Sequence, residues 1–340
     1  MDAGNTTKNI AVIGVGNIGF RRLQSLVTLP SDQYSQYSIF ALEPVEERRT
    51  FLSKEFQNVP NLTILKDIAE LPPVIDLAVI ATSSNVRKAV FQELIEHSTV
   101  KNIIFEKVLF QKVSDYYYVK DRLRSLNIKA WVNTARREAV PYQELRDALR
   151  SCREFIFTTI GGQWGMGCNS VHVLDLIEFL SGSPVDEGSL SISNLESGIV
   201  PSKRSGFYEF FGTITGRAGK CKHFSITCMN NSTLPSLKEI TTEDTRYVID
   251  EGNGKIRIEK QGEGVVTKDF KLPYISQITS KIATEIFETG TCYLPDYEAS
   301  METHLKFIKP LFGFFKENGF SSAAENNTTE SMENEICPIT

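Results

Sequence analysis

The sequence predicts an α/β protein in which a doubly wound parallel sheet is followed by an α+β domain with a large, mainly antiparallel open sheet. Through residue 133, short apolar runs without polar alternation take turns with helical patterns, as in parallel strands covered on both faces by crossover helices. Beyond residue 150, polar and apolar residues alternate in consecutive segments that end in glycine or asparagine turns, which indicates antiparallel strands.

The first domain, expected over residues 1–133, is predicted from five apolar runs with helical periodicity between them. The strands are expected at 9–14, 38–44, 75–82, 101–107 and 129–133, and the helices at 20–29, 46–56, 88–97 and 114–127. Because each strand is followed by a helix, consecutive strands are expected to be parallel.

The second domain, expected over residues 134–320, combines helices with alternating segments. Its predicted strands are 154–162, 189–195, 206–216, 221–230, 245–252, 255–262 and 264–270, and its predicted helices are 170–182 and 297–315. Residues 321–340 are rich in Asn, Thr, Ser and Glu and poor in apolar residues, so we predict a disordered acidic tail there.

Composition and charge exclude several classes of protein. The net charge of −5 comes largely from that tail, and 41% apolar with 23% charged residues is typical of an ordinary globular protein, not of a basic nucleic-acid binder. The first residues lack the pattern of a signal peptide, so we expect none, and no apolar run reaches membrane-spanning length. The six cysteines are scattered and lack paired spacing. We therefore expect a cytoplasmic protein with reduced thiols, no metal site, and neither nucleic-acid nor membrane partners.

The turn after the first strand has the sequence Gly14-Val15-Gly16-Asn17-Ile18-Gly19, which is G-x-G-x-x-G between a strand and a helix. In this pattern the first glycine permits a tight turn, the second lets the backbone approach a pyrophosphate, and the third lets helix and sheet pack closely. The helix N-terminus adds amide donors and the positive end of the helix dipole. We predict that this turn, including Asn17 and Ile18, binds a dinucleotide.

Glu43 ends the second strand 24 residues after Gly19, close to the separation expected for an acid that binds a ribose. A carboxylate accepts hydrogen bonds from the ribose diol and repels a 2′-phosphate, so NAD is favoured over NADP. Arg48 and Arg49 follow closely and could instead neutralise a 2′-phosphate.

Over residues 8–320 the sequence resembles the glucose-fructose oxidoreductase, inositol dehydrogenase and MocA (Gfo/Idh/MocA) family. The resemblance depends on the glycine turn with EPVEER at 43–48, on IDLAVIATSSN at 75–85, on Glu106-Lys107 within IIFEKV, and on CNSVHVLDL at 168–176. It implies a Rossmann domain that binds NAD and a second domain that binds substrate and often forms homo-oligomers through its open sheet.

The resemblance implies that Lys107, His172 and Asp175 are catalytic and touch the substrate. A lysine can polarise the reacting oxygen, and a histidine is a natural general acid and base near neutral pH. His172 and Asp175 are three residues apart, so they share a helix face. By the same resemblance Arg48, Thr82, Asn85 and Glu106 bind cofactor, and Arg136, Trp164 and Asn169 bind substrate.

Other details of the second-domain motifs stay open at the level of sequence. Either Arg136 or Arg137, together with Asn133, would reach toward cofactor or substrate, and Trp164 could stack on a sugar or pack within its loop. Four positions depart from the family pattern: Val108 replaces a proline, Arg87 a histidine, Cys168 an aspartate and Ser170 a glycine. The serine at position 170 would narrow the loop or cap the helix.

The resemblance implies an NAD-dependent oxidoreductase that transfers a hydride between nicotinamide and a secondary alcohol or ketone of a sugar or sugar derivative, nucleotide-linked sugars included. Because a thiol at Cys168 cannot supply a carboxylate charge at neutral pH, the alternative is a catalytically weakened dinucleotide-binding regulatory or scaffold protein. The retention of Lys107, His172 and Asp175 favours the enzyme.

Overall fold

The computed structural model describes residues 7–29, 36–320 and 335–340, and these form two compact units. The first unit contains the chain up to residue 110 together with 115–133 and 273–297, and the second contains 111–114, 134–272 and the chain from 298 onward. Most of the predicted disordered tail, residues 321–334, lies outside the described residues.

The helices and strands follow the expected order, with several additions. The helices are α1 (Asn17–Leu26), α2 (Glu46–Glu55), α3 (Arg87–His97), α4 (Val113–Ser125), α5 (Val140–Leu149), α6 (Met166–Ser181), α7 (Ile275–Thr289) and α8 (Tyr297–Glu317). The strands are β1 (Lys8–Ile13), β2 (Tyr37–Leu42), β3 (Leu62–Leu65), β4 (Val74–Ile75), β5 (Leu77–Ile80), β6 (Thr99–Val100), β7 (Asn102–Phe105), β8 (Lys129–Val132), β9 (Phe155–Gly162), β10 (Ser191–Leu195), β11 (Val200–Pro201), β12 (Tyr208–Glu209), β13 (Gly212–Ala218), β14 (Cys221–Met229), β15 (Leu237–Thr241), β16 (Thr245–Asp250), β17 (Lys255–Lys260) and β18 (Gly264–Asp269). The expectations did not include β3, β6, β11, β15, α5 or α7.

The first unit is built on a six-stranded parallel sheet in the order β3-β2-β1-β5-β7-β8. Residues 10–13 of β1 and 77–80 of β5 are almost completely buried, which explains why these strands show no polar alternation in the sequence. The chain builds outward from β1 to β3 and then crosses over to β5, so the strand order reverses beside β1. The predicted doubly wound sheet is confirmed.

Helix α7 belongs to the first unit, whereas we expected an uninterrupted second domain from 134 to 320. It packs on α1, where the Ser280 amide donates to Ser25 Oγ at 3.0 Å and the Arg22 guanidinium donates to Thr279 Oγ1 at 3.3 Å. Apolar residues of α7, among them Ile282, are buried. The returning helix thus supplies apolar cover that the first 133 residues lack.

The second unit is built on an eight-stranded sheet in the order β10-β13-β14-β9-β15-β16-β17-β18. All neighbours are antiparallel except β14 and β9, which confirms the predicted mainly antiparallel sheet. Helix α6 packs on β13 and β14, and the rings of α8 residues Phe314 and Phe315 contact Phe210. The single strand expected at 206–216 is two strands, because β12 ends at Glu209 and β13 begins at Gly212, which has φ +113°.

The last residues of the chain contradict the predicted disordered tail. Cys337 and Ile339 are fully buried in the second unit, the Cys337 amide donates to the Gln111 carbonyl at 2.9 Å, and the Tyr208 amide donates to the Pro338 carbonyl at 2.9 Å. Burial of apolar side chains stabilises the folded state. The prediction failed because the polar residues at 321–335 dominate the composition of the tail and only a few apolar residues follow them. None of the helices in the described part of the chain combines the length and apolar character needed to cross a bilayer.

Candidate functional site

The predicted cofactor-binding residues of the first unit follow the carboxyl ends of neighbouring strands. Because these strands are parallel, their carboxyl ends meet at one edge of the sheet, where the reversal of strand order opens a crevice for a ligand. The glycine turn follows β1, Glu43 follows β2, Thr82 and Asn85 follow β5, Glu106 and Lys107 follow β7, and Asn133 follows β8.

Each glycine of the turn meets a different local requirement. Gly14 has φ +84°, and a Cβ there would lie 2.7 Å from Thr82 Cγ2, while a Cβ on Gly19 would overlap the carbonyl oxygen of Gly14. Beside Gly16, in contrast, no described atom lies within 4 Å of where a Cβ would be. Packing therefore requires Gly14 and Gly19, whereas the space beside Gly16 is open to a ligand.

The predicted residues Asn17 and Ile18 form the start of α1, with Asn17 exposed and Ile18 half-buried. Amides in the first turn of a helix have no acceptor within the helix. The turn therefore presents backbone donors and the positive end of the α1 dipole, which is a suitable arrangement for phosphate oxygens.

Glu43 is buried at the end of β2, where its Oε1 accepts from the Val45 amide at 3.1 Å. The two arginines that could neutralise a 2′-phosphate are engaged with backbone. Arg48 Nε donates to the Val15 carbonyl at 2.9 Å, and its guanidinium lies 4.8 Å from the centroid of the Phe51 ring. Arg49 donates to the Glu43 and Pro44 carbonyls at 3.0 and 2.6 Å.

Two buried polar atoms near the strand ends are candidate hydrogen-bonding groups for a ligand. Thr82 Oγ1 and Asn133 Oδ1 are buried and have no hydrogen-bond partner among the residues that the structure describes. A buried polar atom left unpaired costs free energy, so each is a candidate contact for a bound ligand. Asn85 is exposed and accepts from Ser83 Oγ at 2.7 Å.

Glu106 is held by protein groups. Its Oε1 accepts from Arg22 Nε at 2.7 Å, and its two oxygens accept from Asn133 Nδ2 at 2.9 and 3.1 Å. All three side chains are buried. The predicted cofactor contact of Glu106 is therefore supplemented by a structural role, in which it ties α1 to the ends of β7 and β8.

Lys107 is half-buried directly after Glu106, and the Lys107–Val108 peptide bond is cis. The segment after it is held by Arg87, whose buried guanidinium donates to the carbonyls of Thr82, Val108 and Leu109, the last at 2.6 Å. Arg87 thus ties the two residues that follow the predicted catalytic Lys107 to Thr82 at the end of the neighbouring strand β5.

In the second unit, Asp175 is bound by Arg137. Arg137 Nε donates to Oδ2 at 2.9 Å and Nη2 lies 2.7 Å from Oδ1, in the bidentate geometry typical of arginine and carboxylate. Burial raises the pKa of Asp175, although the charge and hydrogen bonds of Arg137 act to lower it. Of the two arginines left open by the sequence, Arg137 therefore orients Asp175.

Helix α6 begins at Met166, four residues before the expected start. Its first amides are capped by Glu209 of β12, which accepts from the amides of Gly167 at 2.5 Å and Cys168 at 3.3 Å. Ser170 does not cap the helix, since it lies in the second turn and donates to the Met166 carbonyl at 2.7 Å. A carboxylate therefore lies at this helix end even though Cys168 cannot supply one.

A cavity of about 290 Å³ opens within the second unit, and four predicted substrate-binding residues line it. Trp164 donates from Nε1 to the Thr227 carbonyl at 3.0 Å, and Asn169 donates to the Trp164 carbonyl at 2.7 Å, so both are fixed. Asp175 does not line the cavity. The lining residues are Arg136, Thr159, Trp164, Asn169, His172, Val173, Ser236 and Lys238.

Sequence reasoning missed Lys238, which lines this cavity, and its ion-pair partner Glu251, which does not. Lys238 lies directly opposite Thr159 across β15 and β9, and its ammonium is 2.8 Å from Glu251 Oε2. Glu251 also accepts from Arg136 Nε at 2.8 Å and Nη2 at 2.9 Å, and from the Tyr142 hydroxyl. The alternation of residues 237–241, which places Lys238 on the face of Ile240, was the available signal.

The described residues contain no group of three or more His, Cys, Asp or Glu side chains placed to hold a metal ion. Their six cysteines are free thiols.

Comparison with solved structures shows this fold in proteins of little sequence similarity. An oxidoreductase from Agrobacterium radiobacter, in complex with NAD+, L-tartaric acid and magnesium, has a TM-score of 0.67 at 16% identity and covers 88% of this chain and 94% of its own. The UDP-N-acetylglucosamine 3-dehydrogenase GnnA from Acidithiobacillus ferrooxidans has 0.66 at 13%, covering 89% and 96%. A super-repressor mutant of Gal80p from Saccharomyces cerevisiae has 0.68 at 12%, covering 92% and 96%.

No curated protein is similar enough in sequence to match the chain. Residues 8–134 match the family model described as "Oxidoreductase family, NAD-binding Rossmann fold". This range contains the whole strand-end edge that carries the glycine turn, Glu43, Thr82 and Lys107. Residues 8–134 of this chain are therefore similar to the NAD-binding Rossmann-fold oxidoreductases of the Gfo/Idh/MocA family.

Proposed function

We propose that the chain is an NAD-dependent oxidoreductase acting on a secondary alcohol or ketone of a sugar or sugar derivative. The observation that carries this proposal is the cavity of the second unit, which gathers Arg136, Trp164, Asn169 and His172 in a chain whose first domain is similar to an NAD-binding family. An aromatic ring, an amide, a guanidinium and an imidazole suit a polar ligand with several hydroxyl groups.

The first unit fits a bound NAD. The backbone at Gly16 and the first amides of α1 would hold the pyrophosphate, Glu43 the ribose diol, and the buried oxygens of Thr82 and Asn133 would gain partners. Arg48 and Arg49 donate to backbone carbonyls, so they are already engaged within the protein. The carboxylate of Glu43 would therefore repel a 2′-phosphate on the ribose, which supports NAD over NADP. The neighbour from Agrobacterium radiobacter was solved with NAD+, in agreement with this choice.

The bound nicotinamide would supply a two-electron hydride acceptor or donor. The residues of this chain would handle the accompanying proton. Lys107 would polarise the reacting oxygen as an ammonium donor, and His172 would accept the hydroxyl proton during oxidation and return it during reduction. Arg137 holds Asp175 one helical turn from His172, so we assign Asp175 to positioning His172 and not to proton transfer.

The decisive experiment follows the absorbance of reduced nicotinamide while the full chain turns over a panel of sugars and sugar nucleotides. UDP-N-acetylglucosamine belongs in the panel because the neighbour GnnA is a dehydrogenase of that compound. We expect Lys107→Ala to bind NAD as the native chain does but to lose turnover by about a hundredfold or more, in the range of general acid and base effects. Unchanged turnover would refute the role of Lys107.

A matched control is Lys101→Ala, which removes an exposed lysine from the opposite end of the same strand and should leave turnover intact. Both variants carry the same change in charge. A loss of turnover in both would indicate a nonspecific effect on the first unit.

A second candidate function is a dinucleotide-binding regulator. It is favoured by the neighbours of the chain, which include Gal80p of Saccharomyces cerevisiae and the transcriptional regulator Gal80p of Kluyveromyces lactis, and by the thiol at Cys168. This candidate predicts NAD binding with no change in nicotinamide absorbance for any member of the panel. Turnover of one member excludes it.

A further inference from the structure

We propose that the cavity of the second unit binds an anionic group of the substrate, a carboxylate or a phosphate ester, through Lys238 and Arg136. The proposal rests on the proposed function for its premise that the ligand is the substrate. Neither Lys238 nor its partner Glu251 was assigned a role by the sequence motifs.

Lys238 occupies a position that the strand would ordinarily give to an apolar residue. In β15 the residues Lys238 and Ile240 are buried on one face, while Leu237 is 41% exposed on the other. The Lys238 side chain is only 2% exposed. Because a buried ammonium pays a large desolvation cost, lysine is rarely found at such a position without a charged partner.

The partner that the structure provides does not balance the charge. Four residues form one cluster, which we call the Glu251 cluster: Arg136, Tyr142, Lys238 and Glu251. Arg136 and Lys238 contribute two positive charges and Glu251 one negative charge, while the Tyr142 hydroxyl is a neutral donor. The cluster therefore has a formal charge of +1, so one further anion would complete it.

Both cations of the cluster belong to the lining of the cavity. Arg136 and Lys238 both line it, whereas Glu251 and Tyr142 do not. No carboxylate is among the described residues of the lining, and the neutral donors Thr159, Asn169 and Ser236 complete its polar surface. Two cations that line one space, with their counter-ion outside that lining, are suited to binding an anion by charge-assisted hydrogen bonds.

Both cations are charged at neutral pH. Burial acts to raise the pKa of Glu251, but the hydrogen bonds and charges of Arg136 and Lys238 hold it well below its usual range. Burial and the nearby Arg136 lower the pKa of Lys238 to about 8, with Glu251 opposing them. Lys238 is thus mainly an ammonium at pH 7 and mainly a neutral amine above pH 9.

The experiment compares three probes that differ only at C6: D-glucose, D-glucuronate and D-glucose 6-phosphate. Their dissociation constants are measured by calorimetry on the full chain with NAD present at pH 7. We expect at least one anionic probe to bind about tenfold more tightly than glucose or better, as charged hydrogen bonds allow. The tighter of the two anions identifies the group as carboxylate or phosphate.

Lys238→Met should remove that preference, while Lys222→Met should retain it. Lys222 is an exposed lysine of β14 in the same sheet and outside the cavity lining, so it controls for the loss of one positive charge. Equal binding of all three probes by the native chain, or a preference retained in Lys238→Met, would overturn the proposal.

A pH series on the native chain tests the same inference without a variant that could fail to fold. Both anions keep their charge between pH 7.5 and 9.5, whereas Lys238 loses its proton through this range, so the preference should decline. The other titratable groups around Lys238 are Arg136 and Glu251, which stay charged, and His172, which lines the same cavity. Tyr142 donates to Glu251, and burial raises the pKa of Tyr142 well above its usual value. A preference independent of pH would contradict a role for Lys238.

These outcomes are distinguishable from those that test the proposed function. Turnover of neutral sugars without any preference for anions would keep the oxidoreductase and overturn the anion site. Tight binding of an anionic probe without turnover of any sugar or sugar nucleotide of the panel would keep the anion site and refute the oxidoreductase.

Discussion

Arg137 binds Asp175 through both of its carboxylate oxygens, at 2.9 Å from Nε and 2.7 Å from Nη2, and the Asp175 side chain is only 3% exposed. The pair joins the short helical turn at Ala135–Glu138 to the middle of α6, one turn after His172. The imidazole that we assign to proton transfer therefore stands on a helix whose rotation is fixed by a buried ion pair.

Arg137→Met should lower the free energy of unfolding by about 3–5 kcal/mol at pH 7, because it leaves an uncompensated carboxylate in the interior. Burial already raises the pKa of Asp175 in the folded protein above its unfolded value. The contribution of Asp175 to the free energy of unfolding is therefore largest when it is protonated and falls as pH rises through the folded pKa. The loss should accordingly shrink as pH falls and Asp175 becomes protonated. Urea unfolding at several pH values measures both effects.

Arg146→Met is the matched control, since Arg146 also lies over the Phe179 ring but pairs with Asp147, whose side chain is 54% exposed. Its loss should be below about 1 kcal/mol, as for exposed ion pairs. Equal losses in the two variants would contradict the importance of the buried pair.

Gly16→Ala and Gly19→Ala should separate cofactor binding from folding. A Cβ at Gly16 enters open space, so the variant should keep its melting temperature but bind NADH about tenfold more weakly, a change of about 1.4 kcal/mol. A Cβ at Gly19 overlaps the Gly14 carbonyl and should lower the melting temperature. Thermal unfolding and NADH fluorescence titration measure the two properties, and an unaltered NADH affinity in Gly16→Ala would place the cofactor elsewhere.

Arg87→Met should destabilise the first unit by about 3 kcal/mol or more, because three carbonyl acceptors lose a buried donor and each unpaired group costs roughly 1–3 kcal/mol. The adjacent Lys88→Met, which removes a partly buried lysine bonded to Gln92, should cost less than about 1 kcal/mol. Chemical denaturation compares the two. If turnover falls more in Arg87→Met than its folded fraction explains, Arg87 also positions the backbone beside Lys107.

The predicted homo-oligomer through the open sheet remains a prediction. On the outer face of β9, Ile156 and Ile160 are 48% and 49% exposed, and Leu237 of β15, which pairs with Ile160, is 41% exposed. The double variant Ile156→Asp, Ile160→Asp should therefore lower the molar mass measured by light scattering to that of one chain. A native chain that is already monomeric would refute the prediction.

The sequence predicted the first unit in most of its detail. Its strands are buried on both faces, so apolar runs mark them, and the glycine turn follows from local backbone geometry that neighbouring residues encode. Helix α7 was not predicted because its place on α1 depends on packing between residues far apart in the chain, such as Ser25 and Ser280, which are 255 positions apart. The buried end at Cys337 and Ile339 escaped for a related reason, since a few apolar residues after a polar stretch give no periodic signal.

By itself the sequence determined the alternation of strands and helices in the first domain, the dinucleotide turn, and the residue types that could do chemistry, because these properties are local or periodic along the chain. Only the tertiary structure decided which charges meet. It assigned Arg137 to Asp175 and Arg136 to Glu251, and it brought Lys238 of an unpredicted strand to the cavity of His172. Ion pairing and burial depend on distances in space, and residues 136, 238 and 251 become neighbours only when the sheet of the second unit has formed.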